Sequence, residues 1–231
     1  MIMKYEVIIF DADETLFDFR KSEREALKNT MLGFDIQYDE AHHLKIYSEI
    51  NTAVWKEFEA GLIEQSTINA ERFRRLSQQL DAGFDEGEFA KLYIKHLAAA
   101  SFLYDDSPAL VESLHKDYRL AIVTNGLKDV QEHRVKKSAI GKYFEDVVIS
   151  EAVKVSKPDP RIFELALENM KHADKSKVLM VGDSLVTDIQ GGINAGIDTC
   201  WYNPNKTLNK TEIKPTYEIS SLMELRDILE S

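Results

Sequence analysis

The chain has 231 residues, 44% of them hydrophobic and 30% charged, which suits one α/β core or a core with a smaller insert, and no Pro, Gly or Ser run reads as a disordered linker. A net charge of −11 without a basic stripe excludes a nucleic-acid polymer as partner, and no stretch approaches the roughly 18 apolar residues of a membrane span. The lone Cys200 excludes an intrachain disulfide and a thiolate metal cluster; with acidic residues so early in MIMKYEVIIFDADE, it predicts a cytosolic protein.

In chain order, the first buried run is Val7-Ile8-Ile9-Phe10, which ends abruptly at Asp11. From about Lys21 to Ala100 the pattern is helical, with Val54, Trp55, Phe58 and Leu62 recurring at helical spacing, and no comparable strand interrupts it. The stretch is too long for a loop, so residues 18–103 read as a helical cap inserted into a core formed by 1–17 and 104–231, with hinges near Phe17–Lys21 and Leu103–Ser107. Ser107 is placed to cap a helix with Pro108 at its first position. Leu120–Val123 is a second buried run before Thr124, Val147–Ile149 a weaker one, and Val178–Val181 a third strong run before Gly182. Asp159-Pro160 starts a helix that aligns Ile162, Phe163, Ala166, Leu167 and Met170 on one face. Thr199–Tyr202 and Tyr217–Ile219 are the last strand candidates, the latter at an edge, and Ser221 with Glu224 fits a capping box. Near-continuous apolar runs alternating with single helices predict a doubly wound, Rossmann-like parallel sheet.

Ligands of such sheets gather beyond the carboxyl ends of the strands. Those ends read Asp11-Ala12-Asp13-Glu14-Thr15, Thr124-Asn125-Gly126 and Gly182-Asp183-Ser184 with Asp188 beyond, and Ser156-Lys157-Pro158 precedes a helix. Asp11, Asp13, Asp183 and Asp188 at one edge would repel one another unless a cation sat among them, and all-oxygen donors favour magnesium, with manganese able to substitute. A carboxylate can accept a phosphoryl group when a second group protonates the leaving oxygen, so Asp11 reads as nucleophile and Asp13 as the acid that later takes a proton from water. Thr124 and Asn125 can hold the transferring oxygens while Lys157 balances charge. Singly, each residue has a quieter explanation: Asp after a strand is a common turn residue, Thr124-Asn125 can start a helix, and a lysine is usually a solvated charge.

Taken in order, Asp-x-Asp-x-Thr, Thr-Asn-Gly, Lys-Pro and Gly-Asp-Ser-x-x-x-Asp resemble the four motifs of the haloacid dehalogenase-like hydrolases, from Asp11 to about Gly196. The resemblance implies a helical cap and makes Asp11 the nucleophile, Asp13 the acid/base, and Thr124 with Lys157 the phosphate holders. It also implies magnesium on the Asp11 carboxylate, the Asp13 backbone carbonyl and Asp183, with Asp188 in an outer shell. An acid at position 13 is absent from the dehalogenase and phosphonatase branches, so phosphate-ester chemistry is expected: a phosphatase, with a phosphomutase or a non-catalytic phosphometabolite-binding regulator as alternatives.

Asn51, Trp55 and Phe58 share one helical face by i, i+4, i+7 spacing, followed by Glu59 and Gly61. With Phe17-Asp18-Phe19, this pattern is similar to the YjjG-type nucleotidases and implies a nucleoside 5′-monophosphate as substrate, with the aromatics stacking on a base and Asn51 bonding its edge. Trp55 and Phe58 can equally be cap core. His42-His43 reads as a surface pair whose rings point apart, Cys200 as a buried small residue, and Gly191-Gly192 and Gly196 as helix packing and a helix stop.

Overall fold

Strand β1 (Val7–Phe10) is buried on both faces because parallel strands lie on either side of it and helices cover the sheet above and below. The computed structural model describes residues 4–230. Besides β1, the sheet contains β2 (Arg119–Thr124), β3 (Asp146–Ile149), β4 (Val178–Gly182), β5 (Asp198–Tyr202) and β6 (Tyr217–Ile219), in the order β3-β2-β1-β4-β5-β6. All five pairings are parallel, with Phe10 in register with Ile122 on one side and Val181 on the other. The fold is thus the doubly wound α/β class, and its topological switch point lies at β1.

The chain divides into two compact units, one comprising the chain through Phe19 and from Ser101 onward, the other Arg20–Ala100. In the sheet unit, the period-2 alternation of the strands builds two apolar layers. Ile8, Phe10, Leu120, Ile122, Leu179 and Val181 pack with residues of α5 (Ser107–Leu114) and α10 (Leu225–Glu230). Val7, Ile9, Ala121, Val123, Val178 and Met180 pack with Ile162, Phe163, Ala166 and Leu167 of α8 (Pro160–Asn169) and Ala195 of α9 (Gln190–Ala195). A Cβ on Gly191 would meet the Phe163 ring at 2.7 Å and one on Gly192 the Thr199 methyl at 2.5 Å, so both are close-packing positions, and Gly196 ends α9 in the left-handed conformation. Cys200 is buried in β5. Asp159 caps α8 by accepting from the Arg161 N–H, and Ser221 with Glu224 forms the capping box.

One cap differs from expectation. Helix α5 begins at Ser107 itself, with Asp106 in the cap position and no side-chain cap bond, because the Ser107 hydroxyl is drawn off to the Leu16 carbonyl at 2.9 Å.

The other unit is all helix: α1 (Phe19–Gly33), whose first residue belongs to the sheet unit, α2 (Lys45–Glu59), α3 (Ile68–Leu80) and α4 (Glu86–Ala99). Its core is aromatic, with Phe73 at 5.0 Å from Tyr93 and 5.1 Å from Phe89, and the buried Arg72 guanidinium over the Tyr47, Phe73 and Tyr93 rings. Residues Glu40–Leu44 form a π-helical turn, and the wider turn brings the His42 and His43 rings edge to face at 5.0 Å instead of apart.

Within the sheet unit, the segments that lead into and out of the helical residues are paired. Asp18 N–H donates to the Phe102 carbonyl at 3.0 Å, Tyr104 N–H to the Leu16 carbonyl at 3.1 Å, and Phe17 bridges Leu103 in antiparallel fashion. Phe17 also bridges Asp13, which ties the loop after β1 to the same ladder.

Candidate active site

Three loops and a turn converge at the carboxyl ends of β1, β2 and β4. Asp11 continues β1, its N–H donating to the Val181 carbonyl at 2.9 Å, and its carboxylate is buried. Lys157, 3% exposed, reaches it from the segment before α8, where the Lys157–Pro158 bond is cis. The ammonium donates to Asp11 Oδ1 at 2.5 Å and to the Val123 carbonyl at 2.8 Å, and pairs with Asp188 Oδ1 at 2.7 Å. Its three N–H groups therefore have three acceptors. Asn125 fixes the loop that carries it: the amide Nδ2 donates to the Lys157 carbonyl at 2.9 Å, and Oδ1 accepts the Lys157 N–H at 2.8 Å. Both ends of the Asn125 amide are thus engaged with backbone. The buried Thr124 hydroxyl accepts from the Gly126 N–H at 3.2 Å.

Asp188 lies in the turn Leu185–Ile189, started by Ser184, whose hydroxyl accepts the Thr187 N–H. Its Oδ2 accepts the Ser184 N–H at 3.0 Å, a position open because Gly182 has no Cβ; one there would sit 2.6 Å from Asp188 Cβ. The Asp183 backbone carbonyl is held by the Trp201 indole N–H at 2.8 Å.

Carboxylate oxygens of Asp11, Asp183 and Asp188 lie within 4.8 Å of one another. Burial, and then the charges of Asp188 and Asp13 against the opposing pull of Lys157, push the Asp11 carboxyl up to about 7. Burial followed by Asp188 and Asp11 pushes Asp183 up to about 8. Burial alone would lower the Lys157 ammonium, but Asp11 and Asp188 outweigh it and raise the group above its ordinary value. One ammonium does not balance three carboxylates, two of them buried and Asp183 partly so, and a hard cation among these oxygens would favour their charged forms, so the donor set fits such an ion.

Asp13 stands outside that cluster. Its Oδ1 accepts from Arg134 Nη1 at 2.6 Å and its Oδ2 from Gln131 Nε2 at 2.5 Å, both on α6 (Lys128–Lys137). Neither residue carries a signal in the sequence as a site residue, since KDVQEHRVKK looks like a solvated helix. The nearest clue is Gly126: a Cβ there would collide with the Gln131 side chain.

The seven core residues singled out from the motifs are therefore together in one unit. Asn51, Trp55 and Phe58 lie in the other, on α2, with the Trp55 and Phe58 rings edge to face at 5.8 Å. The Asn51 amide donates to Glu23 Oε1 at 2.7 Å and accepts from Arg72 Nη1 at 2.9 Å, so it is tied into the helical unit's own polar network.

The sequence model of the haloacid dehalogenase-like hydrolase family matches residues 5–196, which hold every one of these strand-end residues. The chain belongs to the haloacid dehalogenase-like hydrolases. Among members of the family it is 37% identical to the pyrimidine 5′-nucleotidase PynA of Streptococcus pneumoniae, over 99% of this chain and 96% of that one. It is 34% identical to the pyrimidine 5′-nucleotidase YjjG of Escherichia coli, over 98% and 99% of the two chains. Of solved haloacid dehalogenase-like structures, that of the HAD-hydrolase YfnB from Bacillus subtilis, bound to magnesium, superposes with a TM-score of 0.92 at 33% identity, covering 99% of this chain and all of the other.

Proposed function

We propose that the protein is a magnesium-dependent phosphatase that hydrolyses a nucleoside 5′-monophosphate through an aspartyl-phosphate on Asp11. The observation that carries the reading is a buried carboxylate, Asp11, whose Oδ1 is held by Lys157 while a second acid, Asp13, stands two residues on in separate hands. With Oδ1 committed to the ammonium, Oδ2 is the atom left to attack. It forms a bond to phosphorus as the ester P–O bond breaks, and the leaving oxygen takes the proton of Asp13. Water then attacks the phosphorus and gives a proton to the Asp13 carboxylate, and the Asp11–phosphorus bond breaks to release inorganic phosphate and restore the nucleophile. Thr124 and the backbone N–H groups of its loop bind the transferring oxygens, with Lys157 as a local positive charge and Asn125 as the brace that holds Lys157 in place.

The Asp11 and Asp183 carboxylates and the Asp13 backbone carbonyl would hold magnesium, with Asp188 behind them because its oxygens already serve Lys157 and the Ser184 N–H. Magnesium in that position supplies charge that offsets the approach of two anions. We assign substrate selection to the helical unit as a cap, 18–103, with Trp55 and Phe58 as an aromatic platform for the base. The two relatives named for pyrimidine 5′-nucleotidase activity support the nucleotide. Asn51 can meet a base edge only by exchanging a bond to Glu23 or Arg72.

The test is a rate panel of nucleoside 5′-monophosphates and sugar phosphates with magnesium, with chelator, and with Asp11→Asn. Nucleotides should lead, and chelator and Asp11→Asn should each abolish turnover. Good turnover of sugar phosphates with hardly any of nucleotides refutes the substrate, and activity that survives Asp11→Asn refutes the covalent route. Rapid release of inorganic phosphate from the phosphoenzyme separates this reading from a mutase.

A further inference from the structure

Gln131 and Arg134 lie three residues apart on α6, hence on one face, and are 1% and 0% exposed. Each spends a donor on a different oxygen of Asp13, and Gln131 Nε2 also lies 3.4 Å from the Thr124 hydroxyl. The Arg134 guanidinium lies over the Phe17 and Phe19 rings, 5.0 and 5.3 Å from their centres, contacts that restrain it. Gly126 leaves the space that Gln131 fills. The arrangement is costly: among the described residues Gln131 Oε1 and Arg134 Nε and Nη2 are buried with no hydrogen-bond partner, and orphaned polar groups cost about 1–3 kcal/mol apiece. Packing alone would be served better by apolar side chains at both positions, so the feature worth that cost is the grip on Asp13.

We propose that Gln131 and Arg134 are positioning residues that fix the Asp13 carboxyl group from its buried side for proton transfer at the ester oxygen, an assignment that rests on the phosphatase reading above. A carboxyl group offers about four lone-pair sites. One on each oxygen is filled from α6, and the Asp13 side chain keeps 25% of its surface exposed, so its open edge carries the proton traffic. In the first half-reaction the Asp13 O–H bond breaks as the leaving oxygen takes the proton, the ester P–O bond breaks and the Asp11 O–P bond forms. In the second, a water O–H bond breaks and its proton returns to Asp13 while the water oxygen bonds to phosphorus and the Asp11 O–P bond breaks, releasing inorganic phosphate. The same grip keeps the Asp13 carboxylate out of the Asp11, Asp183 and Asp188 cluster, so that acid and cation site do not merge.

The experiment measures kcat/KM, which reports the steps through first phosphoryl transfer, for a series of aryl phosphates from p-nitrophenyl phosphate, whose phenolate leaves without a proton, to phenyl phosphate, which needs one. Gln131→Met and Arg134→Met should lose on the order of 100-fold on phenyl phosphate and less than about tenfold on p-nitrophenyl phosphate, a steeper leaving-group dependence than the parent enzyme. Arg134→Lys should recover part of the phenyl phosphate loss. Retained p-nitrophenyl phosphate turnover doubles as the folding control. Equal losses along the whole series mean that the two side chains merely support the fold and overturn the proposal. A gain on phenyl phosphate overturns it too, since the grip would then restrain Asp13 instead of aiming it. The phosphatase reading itself fails only if the parent releases phosphate from neither this series nor the nucleotide panel, a result distinct from equal losses among the variants.

Discussion

Replacing Lys157 by methionine keeps the side chain's length and apolar stem but removes the charge that three groups share. Asp11 Oδ1 and Asp188 Oδ1 lose a partner at 2.5 and 2.7 Å, and the Val123 carbonyl loses one at 2.8 Å. Breaking a buried ion pair from one side typically costs about 3–5 kcal/mol, which is a large share of the roughly 5–15 kcal/mol that holds a domain together. Asp11→Asn is the informative contrast. Lys157 keeps Asp188 and Val123, the new amide oxygen can still accept, and one negative charge leaves a crowded set, so stability should change by no more than about 1 kcal/mol. Urea unfolding without divalent cation, followed by Trp201 fluorescence in a Trp55→Phe background, confines the signal to the sheet unit. With a slope of about 2 kcal/mol per molar, a 4 kcal/mol loss moves the Lys157→Met midpoint down by about 2 M. The deficit should shrink as pH falls, because carboxylates freed of the ammonium neutralise by taking up protons. Coincident midpoints for Lys157→Met and Asp11→Asn would refute the idea that one ammonium holds this cluster together.

Three further outcomes follow from other parts of the molecule. Gly182→Ala forces a methyl group onto the Asp188 carboxylate and should cost about 1–3 kcal/mol while weakening magnesium binding in calorimetry. Cys200, its thiol pushed up to about 12 by burial and then by Glu224, should stay protonated at neutral pH and resist iodoacetamide until urea opens the sheet unit; fast labelling of the native protein would contradict this. Glu71 is held at about 2 by Arg74 and then Arg75, below its ordinary carboxylate value, so its contribution to the helical unit is present above that ordinary value and lost as pH falls toward 2. On acidification, helical circular dichroism should therefore fall at lower pH in the parent than in Glu71→Gln, with the stability difference between them closing as pH approaches 2; a difference that is absent at neutral pH, or that stays constant down to pH 2, would refute the ion pairs.

The strands were legible to different depths for a physical reason. β1, β2 and β4 are central and buried on both faces, so they read as unbroken apolar runs, while β3 and β6 at the sheet edges each carry an acidic residue and are only partly buried. Three of the four motifs were legible because each stands where a strand stops and a loop must carry polar side chains, whereas Lys157-Pro158 stands just before α8. Asn125 was legible as a member of the site, but its bonds to the Lys157 backbone depend on a contact 32 residues away that no local pattern encodes. Gln131 and Arg134 were hidden for the opposite reason, since a helix with charges all round gives no sign of which face is buried. Ser107 shows how a tertiary acceptor, the Leu16 carbonyl, can override a local cap. In the helical unit, the Asn51 amide could be placed on a face by spacing, yet its partners Glu23 and Arg72 come from other helices.

The paired segments at Leu16–Asp18 and Phe102–Tyr104 put the exit and the re-entry of the chain side by side, one short ladder apart. A gap that narrow is indifferent to what is strung across it. Insertions, deletions or a wholly different set of helices between those points need not shift any strand, so if the helical unit selects the substrate as proposed, a graft at these two positions would change selectivity while leaving the strand-end cluster in place. Because Phe17 bridges both Leu103 and Asp13, the graft would share a seam with Asp13, and the seam is where an engineer should expect trouble first.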